Sequence, residues 1–162
     1  MKLKDYKKLT NVGAEKKAER DLKTSLHKYV CLRDLEKLDS GAIVGKCISC
    51  GKVYQAVLYY DKSIMNGREW HAGHLFKSHQ YKSVRFDERN INGQDSHCNR
   101  RKHGDEANYT ENLIKKIGRK EYDKLVIRKN KIVNFNIIEI HNLTKYYKHK
   151  AKLEAEKLGI KI

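Results

Sequence analysis

The 162-residue chain is predicted to fold as a mostly helical α+β protein, with a small β-containing core set between helical extensions. Apolar residues recur at helical spacing toward both ends. That periodicity disappears between about residues 47 and 104, where β-formers and five of the eight histidines gather. Proline is absent throughout, which favours uninterrupted helices and argues against a proline-rich linker.

Taken in order, the first dozen residues are basic and weakly patterned and read as a loose arm. A long helix follows over 14–38, with Ala18, Leu22, Leu26, Tyr29 and Val30 at three- and four-residue spacing and Gly41 and Gly45 beyond its end. Val53, Val57, Leu58, Tyr59 and Tyr60 mark strand in the middle. Helix returns at about 110–117, 119–128 and 136–158; Gly118 breaks the first two apart and Gly159 follows the last. Ile140, Tyr147, Ala151 and Leu158 lie near one face of that last helix, a packing stripe. The expected division is a basic helical arm (1–45), a chemical core (46–105) and a C-terminal helical part (106–162).

The net charge is +16, from 36 Lys and Arg against 20 Asp and Glu. The excess is spread along the chain, +5 over 1–46, +4 over 47–105 and +7 over 106–162. A compact protein carrying this charge repels itself unless it meets a polyanion, and nucleic acid is the commonest one. No stretch approaches the ~18 apolar residues that a membrane span needs. The start, charged but without an apolar run, does not read as a secretory signal. In an intracellular chain the Cys47-x-x-Cys50 pair suggests metal rather than a disulfide.

The chemistry concentrates in four strings: Cys47-Ile48-Ser49-Cys50-Gly51, Trp70-His71-Ala72-Gly73-His74, Arg85-Phe86-Asp87-Glu88-Arg89-Asn90, and Gln94-Asp95-Ser96-His97-Cys98-Asn99. A C-x-x-C-G turn presents two thiolates to one ion, and the second half of such a site returns from far along the chain, here as Asp95-x-x-Cys98. His74 precedes Asn90 by sixteen residues, and Asn90 precedes Asn99 by nine. A His, then an Asn, then a His or Asn just after a knuckle cysteine is the pattern of the HNH (ββα-metal) nucleases. Hydrolysis of a phosphodiester needs those parts: a base for the attacking water and a cation for the departing oxygen.

Tyr29-Val30-Cys31-Leu32-Arg33-Asp34, Cys47-Ile48-Ser49-Cys50-Gly51, His71-Ala72-Gly73-His74, Arg85-Phe86-Asp87-Glu88-Arg89-Asn90, and Gln94 with Cys98-Asn99 resemble the lambdoid-phage NinG (Rap) family of recombination endonucleases, over about residues 20–158. The resemblance implies a structure-selective nuclease acting on branched double-stranded DNA, such as Holliday junctions and D-loops, in the cytoplasm of a phage-infected bacterium. Two active sites on one four-way junction would suit a homodimer. The implied cofactors are a structural Zn²⁺ and a catalytic Mg²⁺ or Mn²⁺.

Within that framework His74 is the expected general base, Asn90 the residue that ties the loop, and Asn99 a ligand of the catalytic ion. Many HNH modules carry an acidic ligand immediately before the base, but Gly73 stands there; His71 is the substitute expected to reach the ion. Cys47, Cys50 and Cys98 are expected zinc ligands. The family pattern has a fourth cysteine where this chain has Asp95, so the fourth ligand is Asp95 with an oxygen, or His97 or His103 with a nitrogen. Arg85, Arg89, Arg100, Arg101 and Lys102 are expected on DNA phosphates, and Cys31 in the core of the first helix. The competing class is a non-catalytic zinc module that binds nucleic-acid structure, which has no need of a base beside a metal ligand.

Overall fold

The computed structural model describes residues 3–57 and 68–162, with side chains over 12–55 and 69–162. Its order is α1 (Leu3–Arg33), β1 (Leu35–Lys37), β2 (Ile43–Lys46), β3 (Val53–Val57), β4 (Arg68–His74), β5 (Ile91–Asp95), α2 (Glu106–Ile117), α3 (Arg119–Lys129) and α4 (Ile137–Leu158). A 3-10 turn at Lys82–Val84 and a single π-helical turn at His97–Arg101 complete it. The architecture is α+β, as expected, with helices supplying more of the chain than strands.

The first helix departs from its expected bounds at both ends. It starts at Leu3, so the stretch expected as a loose arm has helical backbone. It stops at Arg33, because Leu35–Lys37 pairs antiparallel with Ile43–Lys46 around a turn at Gly41, whose φ of 82° suits glycine. Leu35 is buried in that pairing, and burial overrides the helical reading of 34–38. Leu58, Tyr59 and Tyr60 lie outside the described residues.

The five strands form one sheet in chain order, antiparallel except for the parallel β3–β4 pair. Its longest pairing sets β4 against β5, from Trp70 opposite Asp95 to His74 opposite Ile91. One ladder therefore carries two of the four chemical strings.

Two apolar clusters support the sheet. In the first, α1 (Ala18, Leu22, Leu26, Tyr29, Val30) packs with α4 (Ile140, Tyr147, Ala151, Ala155, Leu158) and with Trp70, Phe86 and Ile91. Side chains from all three stretches of the sequence thus share one core. Tyr29 stacks on Tyr147 with ring centroids 5.6 Å apart. A fully buried Leu or Val contributes roughly 1.5–3 kcal/mol, and Leu22, Leu26, Val30 and Leu32 all have no exposed surface. The second cluster joins α2 and α3 (Tyr109, Leu113, Leu125) to Ile48, Leu75, Phe76 and Val84, so it lies under the chemical strings. The capping box of Asn136 and Glu139 starts α4, and left-handed Gly159 ends it.

The C-terminus of α1 is clamped to β5. Arg33 forms a fork with both Asp34 carboxylate oxygens at 2.8 Å and donates to the Ile91 and Glu88 carbonyls. Asp34 in turn accepts the Gly93 N–H at 2.7 Å and Lys116 Nζ at 2.7 Å. Trp70 lies beneath this clamp, donating Nε1–H to the Cys31 carbonyl and filling the space over two glycines. A Cβ on Gly93 would fall 2.2 Å from Trp70 Cζ2 and 2.9 Å from Asp34 Cβ, and one on Gly45 2.7 Å from the same ring. Gly93→Ala is therefore expected to cost about 1–3 kcal/mol or more by overpacking. Urea unfolding followed by the fluorescence of Trp70, the only tryptophan, measures it directly, and an unchanged midpoint would show that the slot has slack.

Candidate metal centre and active-site cleft

Cys47, Cys50, Asp95 and Cys98 converge: one ligand atom from each lies within 4.8 Å of all the others. Cys47 and Cys50 stand on the turn after β2, where the Cys47 carbonyl accepts the Gly51 N–H at 2.9 Å and Gly51 takes a φ of 68°. Asp95 ends β5, and Cys98 sits on the turn behind it. The Asp95 carboxylate divides its work. Oδ1 accepts the N–H groups of His97 (2.9 Å) and Cys98 (3.4 Å), holding the turn, while Oδ2 lies 3.7 Å from Cys50 Sγ.

A tetrahedral zinc with bonds of about 2.3 Å to sulfur requires ligand atoms roughly 3.8 Å apart. The spacing fits, and three thiols with one carboxylate form a donor set that could hold a metal ion such as zinc. Asp95 thus takes the position left open in the sequence. His97 is exposed and His103 lines a different cleft, so neither joins the four. Without an ion, burial pushes the Cys47 thiol up to about 11. Cys31 stays apart in the first core, its thiol donating to the Trp70 carbonyl at 3.8 Å.

The second site is a cleft of about 360 Å³ whose walls include His74, Asn99, His103 and Glu106. His74 closes β4, and its Nε2 lies 3.3 Å from the Arg85 carbonyl. Burial pushes the imidazole down to about 4, with the Arg85 carbonyl opposing the shift and Lys23 adding to it. The ring is therefore neutral near pH 7. A carbonyl only accepts, so Nε2 carries the proton and Nδ1 keeps its lone pair.

Asn90 is completely buried and knots the chain between β4 and β5. Its Oδ1 accepts the Phe76 N–H at 2.8 Å, and its Nδ2 donates to the Phe76 and Val84 carbonyls at 3.0 and 3.1 Å. That knot sets the position of Arg85, and through its carbonyl the His74 ring.

Asn99 does not cap its turn. Its Nδ2 lies 3.1 Å from His71 Nδ1, and His71 Nε2 lies 3.2 Å from Glu69 Oε2. These contacts are consistent with one arrangement: Nε2–H donates to Glu69, Nδ1 accepts from the Asn99 amide, and Asn99 Oδ1 is turned away as an oxygen donor. His71 thus orients Asn99, and both of its ring nitrogens are already engaged. Gly73 precedes His74 for a steric reason, since a Cβ there would fall 1.9 Å from Gln94 Oε1. Gln94 is itself held by donating Nε2–H to Ser49 Oγ and to the Gly104 carbonyl.

The Arg85–Asn90 string is a set of internal ties. Arg85 pairs with Glu19 of α1 through both terminal nitrogens and stacks on Phe86 at 4.6 Å. Arg89 holds Asp87 at 2.8 Å and Glu121 at 2.8 Å. Lys150 of α4 reaches Glu88 at 3.0 Å. Of the four guanidiniums expected on phosphate, those of Arg85 and Arg89 are thus paired within the fold. Arg100 is two-thirds exposed and lines the cleft, paired with Glu69 at 3.2 Å; Arg101 and Lys102 are exposed on the same turn.

The family profile described as Bacteriophage Lambda NinG protein matches residues 2–157. The chain belongs to the NinG family. Protein ninG of Escherichia phage 933W and that of Enterobacteria phage VT2-Sa are each 34% identical to it over 85 residues, and protein ninG of Escherichia phage lambda is 33% identical over 85. Each match covers 52% of this NinG chain and 36% of the relative, so the chain spans about a third of the length of those relatives. No solved structure shows a significant match. Among the described residues, no helix of this NinG protein is long and apolar enough to cross a membrane.

Two residues at the site carry no motif signal. Tyr109, fully buried, directs its hydroxyl at the Gly73 carbonyl (2.9 Å) and the Asn90 carbonyl (3.3 Å), bracing the backbone beside His74. In sequence it stands only at the start of a helical stretch. His27 of α1 packs its ring 5.2 Å from that of His74, and its buried Nε2 has no hydrogen-bond partner among the described residues. Its membership of the buried face of α1, next to Leu26, was the one available clue.

Two predictions follow from these contacts. Cys98→Ser is expected to cut zinc retention by more than the ~10–100-fold that loss of an outer-shell partner costs, and to lower thermal stability with it. Asp95→Cys, which completes four thiolates, should hold zinc more tightly; chelator competition on both variants measures this, and equal zinc release from wild type and Cys98→Ser would exclude the cluster. The second concerns acid. Burial, with His74 and Lys23 adding, pushes His27 down to about 3, and burial foremost pushes His74 to about 4. The unfolded chain binds protons at these groups from about pH 6.5 downward, and the folded chain does not. Their contribution to stability is therefore complete above about pH 6.5 and is lost as pH falls toward the folded values. His27→Phe should flatten the decline in urea midpoint between about pH 7 and pH 5, and an unaltered decline would show that His27 takes no part.

Proposed function

We propose that this protein is a divalent-metal-dependent DNA endonuclease of the HNH (ββα-metal) type, which hydrolyses phosphodiester bonds in branched recombination intermediates. The observation that carries the reading is His74. It is a neutral imidazole with one nitrogen tied to a backbone carbonyl, at the edge of a cleft that also holds an oriented asparagine. The sequence of β4, an Asn90-tied loop, β5 and a helical turn beside a Cys3Asp cluster supports the same module. The resemblance to recombination endonucleases directs the activity to Holliday junctions and D-loops.

In this reading His74 Nδ1 takes a proton from the attacking water while Nε2–H stays on the Arg85 carbonyl, which also favours the imidazolium that forms. Asn90 and Tyr109 hold the backbone on either side of that ring and keep the base in register. Asn99 lines the cleft with its amide nitrogen beside His71, which leaves Oδ1 as a hard donor suited to Mg²⁺ or Mn²⁺. Asn99 would hold such an ion together with water and phosphate oxygens, the shell that Mg²⁺ commonly keeps. When bound, such an ion would stabilise charge on the phosphate and on the departing 3′ oxygen. Arg100, Arg101 and Lys102, on the turn that carries Asn99, are placed to grip the backbone beside the cut.

The test is cleavage of matched linear, nicked and four-way-junction DNA by purified protein, with and without Mg²⁺ or Mn²⁺. Wild type should cut the junction only with metal, and His74→Ala should lose about 10²–10⁴-fold in rate while keeping its zinc and its DNA binding. Binding without any cutting by wild type would instead identify a non-catalytic structure-binding module.

A further inference from the structure

A second cleft, of about 340 Å³, runs between α1 and the loop that leaves β4. Its α1 wall presents Lys16, Arg20 and Lys23, and its other wall His74, Ser78, His79 and Arg85. The three cations stand at i, i+4 and i+7, so they share one helix face and span about 10.5 Å along the axis. Lys17, one residue out of phase, is not part of the wall.

The charge of this cleft is not cancelled from within. Glu19 is the only carboxylate in its lining, and both of its oxygens are taken by Arg85, whose guanidinium lies over Phe86. Lys16, Arg20 and Lys23 are exposed and have no ion-pair partner among the described residues. Arg33, Arg85 and Arg89 differ in being paired within the fold.

The cleft also meets the active-site cleft. His74, Ser78 and His79 line both, so a chain occupying the two together must pass over the His74 ring. A single small anion would call for converging donors. Three cations in file along a helix suit a linear polyanion, whose phosphates on one strand of duplex DNA rise by about 3.4 Å each.

We propose that this α1 cleft is the track of the substrate strand on one side of the scissile phosphate, with Lys16, Arg20 and Lys23 binding its phosphodiester backbone. The proposal rests on the nuclease reading for the position of the cut, but its binding test does not. Arg85 serves the track by neutralising Glu19. The scissile phosphate lies at His74, where the two clefts join, and the flanking linkages on one side lie along α1.

The test places Lys16→Gln, Arg20→Gln and Lys23→Gln together in a His74→Ala background, so that binding is read without cutting. Fluorescence anisotropy with four-way-junction DNA over a salt series should show the log–log slope of affinity against salt shallower by about 2.7, three contacts at about 0.9 each. Replacing Lys120, Lys131 and Lys161, exposed lysines that line neither cleft, should leave the slope unchanged. With His74 restored, single uncharged methylphosphonate linkages walked across the cut should slow wild type on one side of the scissile bond only. The triple variant should be insensitive there. An unchanged slope in the triple variant, beside a wild type that cuts, overturns the track and leaves the nuclease reading standing. A shallower slope beside a wild type that never cuts supports the backbone track and overturns the nuclease reading.

Discussion

The candidate site depends on the burial of one carboxamide. Asn90 has no access to water, so its two donors and its acceptor must be satisfied inside the protein, and the path of the 75–90 segment brings the Phe76 and Val84 backbone to it. An unpaired polar group there would cost about 1–3 kcal/mol, enough to select that path over its neighbours. The consequences extend outward. Leu75 N–H reaches the Asn90 carbonyl, the Arg85 carbonyl reaches His74, and the Arg85 guanidinium reaches across to Glu19 on α1. A loop that would otherwise sample many shapes becomes a rigid mount for one imidazole.

The same restriction governs the arginines. A net charge of +16 suggests a surface covered in free cations, yet the arginines of the most recognisable strings are internal struts. Arg33 holds Asp34 and the β5 backbone, Arg85 holds Glu19, and Arg89 holds Asp87 and Glu121. A guanidinium carries five donors in a planar fork, so it can tie several acceptors at once, which a lysine cannot. Arginines stand where chain segments must be locked, and the free positive charge is left mainly to lysines and to exposed positions such as Arg20 and Arg101. Charge counting suggests a polyanion partner but does not say which cations are free to meet one.

The metal cluster and the cleft share their supports. Gln94 on β5 bonds Ser49 of the cysteine turn and the Gly104 carbonyl beyond the His97–Arg101 turn, while its side chain leaves no room for a Cβ at residue 73. Asp95 both faces the thiols and starts the turn that carries Asn99. Loss of an ion held by the cluster would therefore disturb Asn99 as well as the knuckle, because one carboxylate serves both.

Much of this was legible in the sequence because the signals are local. Residue spacing along one face marks α1 and α4, glycine marks the α2–α3 break, and cysteine spacing marks half of a metal site. The amino-acid order alone also determined which residue types the chemistry has available: three thiols, one histidine–asparagine pair at the right separation, and a surplus of cations. Tertiary structure decided the rest, since each remaining question turns on groups distant in sequence. It brought Asp95 rather than His97 or His103 to the thiols, since Oδ2 faces Cys50 once Oδ1 holds the turn. It ended α1 at Arg33, because burying Leu35 in a strand pair outweighs helix propensity over a few residues. It also brought Tyr109 and His27 to His74 from 35 residues ahead and 47 behind, by helix packing that no spacing within β4 could announce.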